Sequence, residues 1–369
     1  MSVDSTVDME HQALGVNSRD RAMAIWLLSI CACLFAMILI GGATRLTDSG
    51  LSITEWRPVT GAIPPLSDAA WESEFEKYKQ IPEYRYINKG MSLAEFKYIY
   101  WWEWGHRFFG RLIGILFLVP FLFFYFTKSI RPELFPKLII MFVLGGLQGA
   151  LGWYMVASGL TERVDVSQYR LAAHLGLAFI ILGFIFWVTL DLLRQTGPGT
   201  QRLHRHPDMD STRVKMVALT ALIYVQIILG AFVAGLDAGL IYNTWPLMEG
   251  AIVPPDLFPQ TPWYVNFFEH RKLVQFDHRM VAYLVAVYGI LLWWQGRSLT
   301  LPRQSQIALT AVLHTIFLQI VLGIWTLLAA VPIWLGLVHQ AGAVLLFGVA
   351  IYACHVLTKP DTTPARLSA

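Results

Sequence analysis

The stretch GHRFFGRLIGILFLVPFLFFYFT, residues 105–127, places one histidine and two arginines at the beginning of a long apolar run. About 20 apolar residues in a helix are enough to cross the hydrocarbon core of a bilayer. Ionisable side chains at the edge of such a segment are costly to bury and usually serve a function. The stretch therefore predicts a membrane-spanning helix with a polar site near one end.

The whole chain is strongly apolar, since 56% of its 369 residues are hydrophobic and only 14% are charged. Backbone polar groups in lipid must be paired within the protein, which favours helices, and the segments are too long for the strands of a membrane barrel. We predict an all-α integral membrane protein with eight transmembrane helices. The eight apolar segments are 22–43, 105–127, 136–157, 169–191, 214–235, 275–295, 305–328 and 334–356.

The basic residues predict how these helices are oriented in a cell membrane. They gather in the short connections 128–137, 192–213 and 296–304. By the positive-inside rule this side is cytoplasmic, and both chain termini fall on it. The longer connections, 44–104 and 236–274, then face outward. The first segment lacks the cleavage motif of a signal peptide and is expected to remain as a helix of a multi-pass inner-membrane protein.

The chain also contains an internal repeat. The sequence GGATRLTDSGLSITEWRPVTGAIPP begins at Gly41, and GAFVAGLDAGLIYNTWPLMEGAIVPP begins at Gly230. Each copy would contain four helices, an even number, so both copies have the same orientation and the repeat is parallel. We predict two four-helix-bundle repeats, residues 1–200 and 214–369, joined by a cytoplasmic linker at 201–213.

The repeat separates the ten histidines into two groups. Only four have a histidine at the matching position of the other copy: His106 aligns with His278, and His174 with His339. Each begins a helix that enters from the outer side, so the four are expected at a similar depth. Each is followed, four residues later, by glycine or alanine. A small residue there leaves room for a flat group, although small residues also favour packing between membrane helices.

Two opposed histidines in a helix bundle point to haem. Facing helices of bundles often supply cofactor ligands, and a haem iron accepts one imidazole on each axial side. Zinc and copper sites usually need three or four ligands, and no carboxylate or thiolate is repeated beside the histidines. The three cysteines, Cys31, Cys33 and Cys354, lie within apolar segments. The histidines are therefore predicted to ligate two haem irons.

Arginines and glutamines accompany the repeated histidines. Arg107 and Arg279 directly follow two of them and could pair with haem propionates, the alternative being anchors at the membrane interface. Arg111, one turn deeper than Arg107, could hold a second propionate. Gln148 and Gln319 also match between the copies, and we interpret them as interhelical hydrogen-bonding residues rather than site residues.

The two predicted sites differ in one ionisable residue. Glu103 lies three residues before His106 on the same helix face, whereas its counterpart, Gln275, is not acidic. The first outward loop is also longer and rich in aromatic residues. This asymmetry suggests chemistry at the first site and electron storage or transfer at the second. The alternative for Glu103 is an ion pair with Arg107, four residues on.

The motifs EWGHRFFGR and TRLTDSGLSITEWRPVTGAIPP, with the paired histidines, resemble the haem A synthase family over nearly the whole chain. The resemblance implies an oxidoreductase that oxidises a ring methyl of haem O to a formyl group, giving haem A for terminal oxidases. It implies that His106 and His174 flank the substrate haem and that His278 and His339 ligate haem b. Glu103 would be catalytic, as a proton acceptor or an electrostatic stabiliser.

One feature of some family members is missing from this sequence. Those members carry a pair of cysteines in the outward loops, and none of the three cysteines here lies in one. The resemblance therefore gives no support for a thiol relay. The partners that it implies are haem O and the lipid bilayer, with a haem O synthase, oxidase assembly factors and an electron-transfer protein. No nucleic-acid partner is expected.

Two other functions are compatible with the residues alone. One is a dihaem bis-histidine electron-transfer membrane cytochrome without chemistry of its own, against which the Glu103 and Gln275 asymmetry argues. The other is a transporter or haem-delivery protein. Transporters tend to have broken helices and polar sites at the midplane, whereas here the polar residues cluster near helix ends and Pro120 is the one mid-span breaker.

Overall fold

The computed structural model describes residues 18–161, 163–194 and 207–358, and over these ranges the chain is helical without a β-strand. Eight of its helices are long and apolar enough to cross a membrane, which confirms the predicted number. The predicted tails, and residues 201–206 of the predicted linker, lie outside the described residues. The eight helices are α1 Ser18–Leu46, α2 Leu93–Phe126, α3 Phe135–Ala157, α4 Gln168–Leu193, α5 Pro207–Gly235, α6 Arg271–Ser298, α7 Arg303–Leu328 and α8 Ile333–Thr358.

The largest difference from the predicted boundaries is the beginning of α2, which lies twelve residues before the expected position 105. Ser92 caps this helix. Its hydroxyl accepts a hydrogen bond from the Glu95 backbone N–H at 3.3 Å, and the Glu95 carboxylate accepts one from the Ser92 N–H at 2.8 Å. This capping box begins the helix in a polar stretch that hydropathy does not detect. At 34 residues, α2 is about 50 Å long, more than a bilayer core requires.

Helix α5 also begins early, at Pro207 instead of 214. Proline suits the first turn of a helix because its missing N–H would have no partner there. Residues 207–213 of the predicted linker are therefore helical. The assignment of the chain to two repeat halves remains a prediction.

Helix contacts fall into two groups of four. Helices α1, α2, α3 and α4 contact one another in ring order, and so do α5, α6, α7 and α8. The groups meet where α4 packs on α5 and α8, and where α8 packs on α1. Buried side chains from all eight helices form one continuous apolar cluster, which includes Phe117, Phe179, Ile223 and Phe347. Close van der Waals packing of these side chains stabilises the contact between the groups, because helices in lipid associate by packing and not by removing apolar area from water.

The loops that follow α1 and α5 meet at a shared arginine. We call this end of the bundle, from which residues 47–92 and 236–270 emerge, the loop face. Arg45 contacts Asp48 at 2.6 Å and Asp237 at 3.1 Å, so one guanidinium bridges the two loops. Both aspartates adopt left-handed backbone conformations, with φ of 49° and 50°. They are the aspartates that the sequence repeat aligned, so the two loops also match in backbone conformation.

The first long loop contains two short helices, Asp68–Tyr78 and Pro82–Tyr86. They pack on the projecting part of α2 and form a second apolar cluster, separate from the membrane core, with Trp71, Phe75 and Phe96 among its members. Phe75 and Phe96 stack with ring centres 4.9 Å apart. The aromatic residues of this loop therefore build a small folded unit on the loop face.

A carboxyl group is buried within this unit. Glu83 is 3% exposed, and its Oε1 accepts hydrogen bonds from the Tyr78 hydroxyl at 3.0 Å and from the Asn88 amide at 3.3 Å. Its second oxygen, Oε2, is buried without a partner. Burial raises the pKa of Glu83 from 4.5 to about 8. The protonated form is consequently favoured in the folded unit at neutral pH.

This burial predicts a pH-dependent stability. A raised pKa means that the folded state keeps a proton that the unfolded chain releases above about pH 4.5, so the stabilisation is full below that pH and is lost as the pH rises through about 8. We expect Glu83→Gln to flatten this dependence and to raise the unfolding temperature above about pH 8. Thermal melts followed by tryptophan fluorescence between about pH 5 and 9 measure the effect.

The matched control is Glu76→Gln, because the Glu76 side chain is 65% exposed and contacts Lys79 on the surface. This variant should keep the pH dependence of the unmodified protein. An unchanged slope in Glu83→Gln would show that another group is responsible.

Candidate functional site

The first pair of repeated histidines is brought together by α2 and α4. The ring centres of His106 and His174 are 6.5 Å apart, and the ring planes are inclined at 74°. His106 is the fourteenth residue of α2 because the capping box adds turns before it, whereas His174 is the seventh residue of α4. The different positions within the helices thus reflect the extension of α2.

The separation of these rings fits a metal bound between them. Two metal–imidazole bonds of about 2 Å, with about 1 Å from each ligating nitrogen to its ring centre, place two axial rings about 6 Å apart. Among the described residues, no group of three or more histidine, cysteine or acidic side chains could hold a metal ion. The pair offers two ligands, the number that axial haem coordination requires.

The second pair is held by α6 and α8. His278 is the eighth residue of α6 and His339 the seventh residue of α8. The helices that carry them are the counterparts of α2 and α4 in the sequence repeat. The chain thus supplies two histidine pairs, one from each group of four helices.

Each of the four histidine rings rests on a glycine of a neighbouring helix. A Cβ built on Gly41 would lie 3.2 Å from His106, and one on Gly230 would lie 3.2 Å from His278. The same test on α3 and α7 gives 3.0 Å from Gly152 to His174 and 2.9 Å from Gly323 to His339. Any larger residue would displace the ring. These glycines therefore fix where each imidazole lies.

Glutamines contact three of the four histidines. The amides of Gln148 and Gln319 donate to the backbone carbonyls of His174 and His339, at 3.0 and 2.9 Å. Gln226, on α5, donates to the His278 carbonyl at 2.9 Å. Each amide nitrogen also lies 3.1–3.3 Å from a ring nitrogen of the same histidine. Sequence analysis correctly predicted that Gln148 and Gln319 bond between helices but did not place them at the site.

The small residues that follow the histidines serve helix packing. A Cβ on Gly110 would lie 3.1 Å from the Met37 methyl group of α1, and Ala178 and Ala343 pack against the apolar core. This is the packing alternative that the sequence left open. The residues that adjoin the rings are the four glycines on the neighbouring helices, together with the three glutamines.

Glu103 is buried and fully engaged. Its Oε2 accepts hydrogen bonds from the Ser52 hydroxyl at 2.8 Å and from the Ile53 N–H at 2.6 Å, while its Oε1 pairs with the Arg107 guanidinium. Arg107 also donates to the carbonyls of Ile53 and Glu55. The ion pair considered in the sequence analysis is thus present, and it attaches the first loop to α2.

The matching residues of the second group attach the second loop in the same way. Arg279 donates to the carbonyls of Tyr242 and Thr244, at 2.8 and 2.9 Å, which align with those that Arg107 contacts. Gln275, the counterpart of Glu103, donates its amide to the Tyr242 carbonyl at 3.1 Å. The glutamate therefore accepts hydrogen bonds from its loop, whereas the glutamine donates one. Both arginines hold loops as well as following the histidines.

Two of the three arginines predicted to pair with propionates retain a nitrogen without a partner. Arg111 donates to the carbonyls of Arg57 and Pro58, but its Nη1 is buried without a partner, as is the Nε of Arg279. A buried unpaired donor is costly, and a propionate would satisfy it. Propionate pairing thus has a specific donor atom in Arg111 and in Arg279, whereas the carboxylate that Arg107 contacts is Glu103.

Comparison with known proteins adds a family match that covers most of the chain. Residues 24–351 match the family model described as cytochrome oxidase assembly protein. The chain is 53% identical to a haem A synthase of Parvibaculum lavamentivorans, over 93% of this chain and 96% of that protein. It is 49% identical to a haem A synthase of Nitrosospira multiformis, over 92% and 94% of the two chains. A haem A synthase of Chelativorans sp. is 52% identical, over 88% of each chain.

Proposed function

This chain belongs to the cytochrome oxidase assembly protein family, and from that membership we propose that it is a membrane haem A synthase. The proposed reaction oxidises a ring methyl of haem O to a formyl group. The observation that carries the proposal is the combination of near full-length relatives of this name with two histidine pairs, one with its ring centres 6.5 Å apart.

The proposal gives the two histidine pairs different occupants. His106 and His174 would flank the iron of the substrate, haem O. His278 and His339 would ligate a resident haem b, which when bound supplies one-electron transfer. The asymmetry between Glu103 and Gln275 supports this order, because the residue three positions before the histidine is a carboxylate at the first site and an amide at the second.

The surrounding residues would orient the substrate. The unpaired Nη1 of Arg111 would donate to a propionate and fix the rotation of the macrocycle about the axis between the histidines. The Nε of Arg279 would do the same at the second site. Gly41 and Gly152 hold the imidazoles in place without filling the space beside them.

Glu103 is the proposed catalytic residue. As the ring methyl is oxidised, its carboxylate would receive a released proton or stabilise developing positive charge. Ser52, Ile53 and Arg107 keep the carboxylate in one position, so little reorganisation is needed during the reaction. The same contacts attach the first loop over the site.

The proposal includes an orientation and partners. The loop face, with all four histidines near it, would face outward, and both termini would be cytoplasmic. Haem O would arrive from its synthase through the bilayer, and the product would pass to oxidase assembly factors. An electron-transfer protein would accept electrons from the second site.

Pigment extraction tests the proposal. The protein is expressed in membranes that also make haem O and is purified, and its haems are identified by chromatography and mass. Haem b together with haem A or a hydroxylated haem O is the expected result. Haem b alone, although haem O is available, would instead favour the dihaem electron-transfer cytochrome. Haem O bound and released without covalent change would favour the delivery protein.

A further inference from the structure

A short motif recurs on the helices that pack against the histidines. Helices α3, α5 and α7 carry QGALG at 148–152, QIILG at 226–230 and QIVLG at 319–323. The glutamine contacts a repeated histidine, and the glycine, one turn later on the same face, lies against its ring. We call this pair of residues the glutamine–glycine seat. It occurs at His174, His278 and His339.

The fourth histidine has an altered seat. Helix α1 carries MILIG at 37–41, in which Gly41 lies against His106 but Met37 replaces the glutamine. The offset of 189 residues that aligns Gly41 with Gly230 also aligns Met37 with Gln226. Across the ranges that the structure describes, no side-chain amide bonds to His106. Met37 instead reaches α2 at Gly110.

The seat holds its histidine at two points. The glutamine amide nitrogen donates to the histidine carbonyl at 2.9–3.0 Å and lies 3.1–3.3 Å from a ring nitrogen, while the glycine leaves no room for the ring to move toward its helix. The Oε1 atoms of Gln148, Gln226 and Gln319 are buried without a partner, so each glutamine acts on its histidine through the amide nitrogen. Residues that orient a metal-bound histidine typically strengthen its binding to the metal.

We propose that the seats decide which haem is retained and which is exchanged. This inference rests on the proposed function. At the second site both axial histidines have complete seats, which would hold haem b through many turnovers. At the first site only His174 has one. The bond from His106 would be the weaker, and haem O would enter and haem A leave by opening on the His106 side. Met37 and Gln226 are positioning residues in this scheme.

Exchange of the two residues tests the scheme. Gln226→Met gives the second site the altered seat, and Met37→Gln completes the seat at the first. Purified protein loaded with both haems is mixed with excess apomyoglobin, and haem release is followed by absorbance. Loss of a residue that orients a metal-bound histidine typically weakens binding about 10–100-fold. We expect release of haem b to accelerate by such a factor in Gln226→Met, and release from the first site to slow in Met37→Gln.

A matched control and a second measurement keep the test specific. Val225→Met introduces the same side chain one position earlier, where the residue is 48% exposed, and should leave both release rates unchanged. Paramagnetic resonance of the low-spin ferric haems should change at the second site only in Gln226→Met, because the glutamine that orients His278 is lost.

The outcomes separate this inference from the proposed function. Unchanged release of haem b in Gln226→Met, or unchanged release from the first site in Met37→Gln, would overturn the role of the seats whether or not haem A is formed. Absence of any oxidised haem in the unmodified protein would overturn the synthase instead. Because Met37→Gln leaves the second site intact, it remains informative if Gln226→Met fails to fold.

Discussion

Replacement of His278 by alanine is expected to leave the purified protein without haem b and to abolish haem A formation. Removal of a residue behind a metal ligand costs about 10–100-fold in affinity, and removal of the ligand itself should cost more. In this variant Gln226 could still donate to the backbone carbonyl of residue 278, but the imidazole ring that lies against Gly230 would be gone. Haem extraction and the ferric resonance spectrum of the purified variant measure the loss.

The control for this variant is His314→Ala. His314 lies on α7 and has no histidine counterpart in the repeat, and its ring nitrogen hydrogen-bonds the Thr310 carbonyl of its own helix at 2.8 Å. It should retain both haems and full activity. Retention of haem b in His278→Ala would show that the resident haem is ligated elsewhere. His106→Ala should keep haem b and lose the substrate, which distinguishes the two sites.

Replacement of Glu103 is expected to separate chemistry from haem binding. Glu103→Gln keeps the size of the side chain and an oxygen that can accept from Ser52 and Ile53, but removes the charge. If the carboxylate moves a proton, formation of oxidised haem should fall about 100-fold to 10,000-fold, with the haem b content unchanged. Product is measured per haem b in membranes that make haem O.

Two further variants decide between catalysis and loop attachment. Arg107→Ala breaks the ion pair but leaves the carboxylate. If Glu103 only attaches the loop, Arg107→Ala should lower the rate of oxidation, whereas Glu103→Gln, which keeps the hydrogen bonds to the loop, should have near-normal activity. Gln275→Ala removes the matching residue at the second loop and should leave the rate of oxidation close to that of the unmodified protein. Full activity in Glu103→Gln would refute the catalytic role.

The sequence predicted the number of membrane helices because hydropathy over about 20 residues depends on composition alone. It did not predict the beginning of α2. The capping box at Ser92 is a local polar interaction outside the apolar run. It becomes part of α2 because the helix extends beyond that run into the aromatic unit that contains Phe75 and Phe96. Helix ends in polar loops depend on such tertiary packing.

Residue identity at the site could also be inferred only in part. Duplication of the sequence singled out His106, His174, His278 and His339, because chance rarely repeats a histidine at the same helix end. Gln226 could not be found in this way, since its counterpart in the repeat is Met37. The four-residue spacing between Gln226 and Gly230 can be read from the sequence, but it does not identify a site until α5 is known to face His278.

By itself, then, the sequence determined an eight-helix membrane protein, its histidine pairs and its family resemblance, since these follow from composition, periodicity and repetition along the chain. The tertiary structure decided what touches those histidines. It placed a glycine against each ring and a glutamine behind three of them, and it committed Glu103 and Arg107 to the first loop. Contacts between helices depend on which faces meet, and this is set by packing across segments far apart in sequence.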